Sequence, residues 1–333
     1  MIAFGVAVTS AATYDRYALP GITRAAEPDS LVMAHQTAGS IFHNYNLLLD
    51  KAGTHEDLEA LVLPHQDTEI VDPGFLDRVR ETLADPDVAV IGCAGAVGVR
   101  GPAWWQGAVT WASMSHRYQE FGGGEFPGPT WTPERSASYA SPGEVDSVDG
   151  FIMVLSPWAV RNLRFDESLG KLHGYDFDIC MQARAAGKKV ATADFKAVHH
   201  RPLELLSDPE AWIAAYVALV EKWADHLPDT GADPERRAVR AEAEAACARV
   251  MTASQSYRGV AIERELRRVN QKLEDCGAEA TRVTRELDAT SAKLGASNHE
   301  LERATAKFQD VVESSSWRLT APLRALRRRF RRR

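Results

Sequence analysis

The 333-residue chain contains neither a GxGxxG fingerprint nor a GxxxxGK[ST] loop. Neither a Rossmann dinucleotide site nor a P-loop is therefore indicated. Cysteine pairs are missing too. Cys93, Cys180, Cys247 and Cys276 are scattered, with no CxxC and no zinc spacing, which fits a reducing cytosol. No apolar run approaches the roughly 18–20 residues that span a bilayer, so any membrane contact is expected to be peripheral. Met1-Ile2-Ala3-Phe4-Gly5-Val6-Ala7-Val8 lacks a basic lead and a small-residue cleavage site, and reads as a first strand rather than a signal peptide. Acid is absent from the last sixteen residues, which carry eight arginines. The net charge of −7 thus hides an acidic body with a basic end, a pattern suited to an anionic surface. The remaining composition, 26% charged and 45% hydrophobic, is that of an ordinary soluble protein. The length allows one substantial domain plus something smaller.

The stretch Leu61-Val62-Leu63-Pro64-His65-Gln66-Asp67-Thr68-Glu69-Ile70 organises the chain. An apolar run ending in a polar cluster reads as a buried strand that carries side chains out of the sheet. In an open α/β sheet that edge is where ligands bind. His65 and Asp67 are two apart, so on extended backbone they point to one side. A hard divalent cation holding a diphosphate needs an oxygen ligand in such a place; a solvent-facing loop after a core strand is the plain alternative.

Around this stretch, strands are expected at 2–9, 31–34, 61–66 and 88–93. Helices are expected at 40–52, stopped by Gly53, and at 73–84, with Asp72 as cap and Pro73 in the first turn. That order argues α/β with a largely parallel sheet. The loop Thr9 to Asp15 follows the first strand, a position that often holds a nucleotide base or ribose. Residues 94–145 are rich in Gly, Pro, Trp and Ser and read as a long irregular region. Its tryptophans, Trp104-Trp105, Trp111 and Trp131, suit stacking on a sugar ring or packing in the core. A strand pattern returns at 145–155. A helix comes after His173-Gly174-Tyr175-Asp176-Phe177-Asp178, a strand lies at 189–193, and Val198-His199-His200 closes the body.

Helices over 209–226 and from 234 to about 254 are expected to connect this body to a C-terminal rod. From Ile262 to Val311 apolar or small residues alternate spacings of four and three without a slip, a coiled-coil pattern. Self-association through it is expected. In the tail, Trp317, Leu319, Leu323, Leu326 and Phe330 form an apolar face among arginines, suited to an anionic bilayer. No nucleic-acid fold accompanies the arginines, so nucleic acid ranks below membrane. The boundaries read as 1–205, 206–257, 258–313 and 314–333.

His65-Gln66-Asp67, Asp149-Gly150-Phe151, His173 to Cys180 and His199-His200 together resemble a family 2 glycosyltransferase of the GT-A fold, in its StrF-like branch, over residues 2 to about 202. The resemblance implies a mixed Rossmann-like sheet flanked by helices and inverting transfer from a nucleotide-diphosphate sugar to a hydroxyl acceptor. Asp67 matches the last Asp of the DxD motif and, with His199, would hold Mn²⁺ or Mg²⁺; His200 is the alternative ligand. Asp176 matches the general base. Thr9, Ser10, Asp15, His65, Gln66 and Asp149 fall on the donor side, and Trp104, Trp105 and Asp178 on the acceptor side. His65 stands where the family commonly has the first Asp of DxD, and Tyr175 where it has Glu. The implied setting is cytoplasmic, on the inner membrane face, extending a polysaccharide or glycolipid. A non-catalytic scaffold on a degenerate transferase fold is the rival reading.

Overall fold

The computed structural model describes residues 1–36, 39–107, 109–119, 124–127, 142–202, 206–227 and 236–330. It contains two compact units, Met1–Arg264 and Glu265–Arg333.

In chain order the strands of the first unit are β1 (Ile2–Ala7), β2 (Leu31–His35), β3 (Ala60–Pro64), β4 (Thr68–Ile70), β5 (Val88–Gly92), β6 (Ala94–Val97), β7 (Val109–Ala112), β8 (Met114–Tyr118), β9 (Gly124–Pro127), β10 (Glu144–Val145), β11 (Ser147–Val148), β12 (Ile152–Leu155), β13 (Lys189–Thr192) and β14 (Ala197–His200). Seven form a mixed sheet in the order β10-β13-β5-β12-β3-β1-β2. β3 pairs parallel with β1 and antiparallel with β12. Every residue of β3 is buried, which is why it reads as an unbroken apolar run rather than an alternating one. Helices Ile41–Gly53, Phe75–Leu83 and Tyr175–Ala185 supply side chains to the clusters around the sheet. This is the mixed α/β architecture that the GT-A resemblance implies.

A second sheet, β4-β14-β8-β9, assembles the site. β3 runs through the turn His65–Asp67, closed by Thr68 N donating to His65 O at 3.1 Å, into β4. β14 then pairs antiparallel with β4, with His199 opposite Thr68. This register brings His199 beside Asp67 across the sequence. Successive side chains on a strand face opposite ways, so His199 and His200 cannot both enter one site.

Five expectations are corrected. The sheet expected to be largely parallel is mixed, with β12 antiparallel to both its neighbours and β10 antiparallel to β13. The loop expected from Thr9 to Asp15 turns helical at Ala11, in Ala11–Thr13 and Tyr14–Ala18. The helix expected from Pro73 starts at Phe75, with Gly74 as N-cap. Asp72 instead accepts from Gly74 N at 3.0 Å and Arg78 Nε at 2.7 Å, which postpones the first helical turn. The stretch 94–145, expected to be irregular, contains β6 to β10; Trp131 lies outside the described residues. The two helices expected at 234–254 and 258–313 are one, Arg236–Glu313, because no proline separates them.

The segment read as a connector belongs to the first unit and helps form its core. Trp212, Ile213, Tyr216 and Val220 form one buried cluster with Ala103, Val239, Ala243 and Cys247. In the second unit the long helix is succeeded by Ser315–Leu319 and Ala321–Phe330. Ser314 caps the first of these by accepting from Trp317 N, and the Arg324 guanidinium lies 3.7 Å from the Trp317 ring centroid. Among the described residues no helix is long and apolar enough to cross a membrane.

Candidate active site

A cavity of about 440 Å³ opens at the C-terminal end of β3. Thr9, His65, Gln66, Asp67, Trp104, Trp105, Asp149, Asp176 and His199 all line it.

His65, Asp67 and His199 each offer a ligand atom, all within 4.8 Å of one another. His199 Nε2 lies 3.4 Å from Asp67 Oδ1, and His65 Nδ1 lies 4.0 Å from the same oxygen. His199 is 3% exposed. Its ring stacks on Phe151, with centroids 4.8 Å apart, and its Nε2 is buried without a hydrogen-bond partner. A buried polar atom without a partner is costly. Here it points at a carboxylate, and a shared divalent cation would satisfy both. His65 Nε2 sits 2.5 Å from Tyr175 OH, which leaves Nδ1 towards Asp67, as a ligand imidazole fixed through its other nitrogen requires. The donor set fits a divalent cation.

Burial pushes the His65 imidazole down to about 4 and that of His116 down to about 3, so both are neutral around pH 7 and free to accept. For Asp67, burial alone would raise the carboxyl. His199, His65 and Arg201 outweigh it and hold Asp67 well below the usual range. Asp176 goes the other way. Burial first, and the Asp149 carboxylate second, raise it to about 7. Its Oδ2 accepts from Gly150 N and its Oδ1 from Phe177 N, each at 2.9 Å. Asp176 stands in the first turn of Tyr175–Ala185, whose N-cap Gly174 has φ +82°. A Cβ on Gly174 would collide with Leu219, so glycine is required at this entry.

Gln66 ties the segment after β1 to the turn that carries Asp67. Its Oε1 accepts from Thr9 N at 2.9 Å and Ser10 N at 2.8 Å, and its Nε2 donates to Thr9 Oγ1 at 2.7 Å. Ser10 also caps the short helix Ala11–Thr13. Asp149 accepts from Trp104 Nε1 at 2.9 Å. Trp104 is buried, and Trp105 stacks on Trp212 at 5.8 Å. Asp15 is exposed and outside the cavity lining. Asp178 faces away, buried at 1%, and accepts from Trp223 Nε1 at 2.8 Å while pairing with Lys222 at 2.7 Å. His200 turns away from the cavity to Glu69 at 2.9 Å and stacks on Tyr17.

Sequence reasoning passed over Arg201, Lys171 and His116, which also line the cavity. Arg201 directly succeeds the two histidines, a signal that could have been used. His116 had none: it reaches His199 only through the parallel pairing of β8 with β14.

Residues 6–202 match the model of the "Glycosyltransferase like family", and the chain belongs to that family. Over 210 residues it is 30% identical to the streptomycin biosynthesis protein StrF of Streptomyces griseus. That match covers 60% of this chain and 66% of StrF, just under two thirds of the relative's length. Similar solved structures include GalNAc-T7 with UDP, GalNAc and Mn²⁺, at 11% identity and a TM-score of 0.46, covering 68% of this chain and 48% of that one. A second is the mannosyltransferase PcManGT of Pyrobaculum calidifontis with GDP-Man and Mn²⁺, at 14% identity and a TM-score of 0.40, covering 76% and 73%.

Proposed function

We propose that the globular unit is an inverting, hexosyltransferase-like enzyme that moves a sugar from a nucleotide-diphosphate donor to a hydroxyl acceptor by direct displacement. The observation that carries this reading is the convergence of Asp67, His199 and Asp176 on one cavity, with Asp67 kept anionic and Asp176 poised near neutrality.

Asp67 and His199, with His65 beside them, would hold Mn²⁺ or Mg²⁺. When bound, that cation neutralises charge developing on the departing diphosphate. Arg201 and Lys171 line the same cavity and add positive charge for the diphosphate. Thr9, Ser10 and Gln66 bound the nucleotide end, with Asp15 on the loop beyond. Asp149 holds Trp104 by its indole nitrogen, and the Trp104–Trp105 corner offers an apolar face to a sugar. Asp176, oriented by two backbone N–H groups, accepts the proton of the acceptor hydroxyl as that oxygen attacks the anomeric carbon. A base with a pKa near the working pH suits that task. One base and one displacement, without a covalent intermediate, invert the anomeric centre.

The acceptor in this reading is a polysaccharide, glycolipid or similar glycan at the cytoplasmic face of a membrane. The arginine-rich tail holds the enzyme to anionic lipid, and the heptad helix joins copies. Calorimetry with UDP- and dTDP-sugars plus Mn²⁺ tests the enzyme. Metal-dependent nucleotide binding that is lost in Asp67→Ala is expected; binding unchanged in that variant, with no sugar released on prolonged incubation, overturns it. For the tail, a chain cut after Glu313 should lose sedimentation with anionic liposomes, and equal sedimentation refutes the anchor.

A further inference from the structure

The helix Arg236–Glu313 carries an exposed apolar seam: Leu266 is 57% exposed, Leu273 65%, Leu287 64%, Leu294 62%, Leu301 65% and Phe308 66%. In heptad terms these leucines and Phe308 occupy the a positions, with Ala280 among them. The d positions are smaller: Val269, Cys276, Val283, Thr290, Ser297 and Ala304. The residues just before each a position are all charged, Glu265, Lys272, Glu279, Glu286, Lys293, Glu300 and Lys307. Those just after each d position from Asn270 onward are uncharged, Asn270, Gly277, Thr284, Ser291, Asn298 and Thr305. Charges that flank the seam set partner and orientation in coiled coils.

We infer that the partner is a second copy of this chain, lying antiparallel, with its twofold axis beside Arg285. This rests on the reading of the heptads as a self-association seam. In a parallel pair each flanking charge faces the partner's residue five positions on. Lys272 then meets Gly277, Glu279 meets Thr284 and Lys293 meets Asn298, so no charge finds its opposite. In the antiparallel pair the charged flank faces its own copy. Glu265 meets Lys307, Lys272 meets Glu300 and Glu279 meets Lys293, each twice by symmetry, and only Glu286 meets itself. The Arg268 and Arg282 pairs within the helix remain on the outer side of those glutamates.

The core points the same way. An antiparallel register sets large against small: Leu266 on Ala304, Leu273 on Ser297, Leu294 on Cys276 and Leu301 on Val269. A parallel register stacks Thr290, Ser297 and Ala304 each on itself, leaving gaps between leucine layers, and gaps in a core are costly. Such a twofold contact is self-complementary and closes at two chains.

The orientation is readable through Cys276, which is exposed, whereas Cys93, Cys180 and Cys247 are buried. In the antiparallel pair the two copies of Cys276 lie roughly 27 Å apart along the rod at 1.5 Å per residue. A disulfide needs Cα atoms within about 7 Å. The full-length chain should sediment as a dimer yet resist copper-phenanthroline cross-linking on non-reducing gels. Leu294→Cys should cross-link efficiently, and adding Cys276→Ala should abolish the link. Lys293→Glu should weaken the dimer about tenfold, and adding Glu279→Lys should restore it. Cross-linking of the unaltered dimer through Cys276, or a link that survives Cys276→Ala, overturns the orientation alone. A chain that stays monomeric at tens of micromolar overturns the seam reading itself.

Discussion

Replacing Asp176 by asparagine should stabilise the metal-free protein above neutral pH, by an amount the site itself sets. Burial and the Asp149 carboxylate raise the Asp176 carboxyl from 3.8 to about 7. Between those values the folded chain holds a proton that the unfolded chain has released. Stability from this group is therefore greatest below 3.8 and is lost as pH rises, until the folded carboxyl also ionises above about 7. From pH 5 to pH 8 the loss spans about two pH units at about 1.36 kcal/mol each, or about 3 kcal/mol. Asparagine has no charge to gain. It forfeits one of the two backbone N–H contacts, worth about 1 kcal/mol, but equally at both pH values, so that cost drops out of the comparison. By urea unfolding of the metal-free chain, the advantage of Asp176→Asn over the parent should be about 3 kcal/mol larger at pH 8 than at pH 5. An advantage independent of pH would refute the reasoning. The carboxyl would then titrate near its ordinary value, and its fitness as a proton acceptor near pH 7 would lose its physical basis.

With the donor substrate, kcat/KM should fall about tenfold per pH unit below about 7. Asp149→Asn should move that acidic limb to lower pH, because it removes the like charge; a limb that stays in place removes Asp149 as a cause. His199→Ala should weaken Mn²⁺ binding by at least about tenfold, whereas His200→Ala should leave it nearly unchanged; calorimetry that reverses the two would reassign the ligand. Gln66→Ala frees the loop after β1 and should weaken donor binding while leaving the far-ultraviolet circular dichroism spectrum intact. Gly174→Ala meets both a positive φ and the Leu219 side chain, and should cost about 1–3 kcal/mol in thermal unfolding.

The main strands of the first hundred residues were legible because strands buried on both faces must be apolar throughout, as β3 and β5 are, whereas the helical stretch over residues 11–25 was missed. Asp67, Asp176 and His199 were found through short motifs. That Asp67 and His199 meet follows from the β4–β14 register, and Asp176 joins them through Gly150, just before β12, which pairs with β3; both are long-range pairings with no local signature. The stretch after Val97 was misread because its strands are two to five residues long and carry glycine, tryptophan and polar residues. Their order comes from cross-strand pairing rather than propensity. Trp104 illustrates the limit: the sequence offered either sugar stacking or core packing, and the Asp149 contact gives it a buried position at the cavity wall. Asp178 was expected on the acceptor side, and its place in the structure had no sequence signal. Its partners Lys222 and Trp223 belong to a segment that sequence alone had set outside the domain.

The Gln66 amide bridges the β1 loop and the turn that carries Asp67. Under the proposed function, a nucleoside that shifts the loop would pull on the turn that carries the carboxylate, and thermodynamic reciprocity would then govern both. Whatever factor the cation adds to nucleoside affinity, the nucleoside must return to the cation. Discrimination among bases would then be readable as a ranking of metal dissociation constants, without a single turnover.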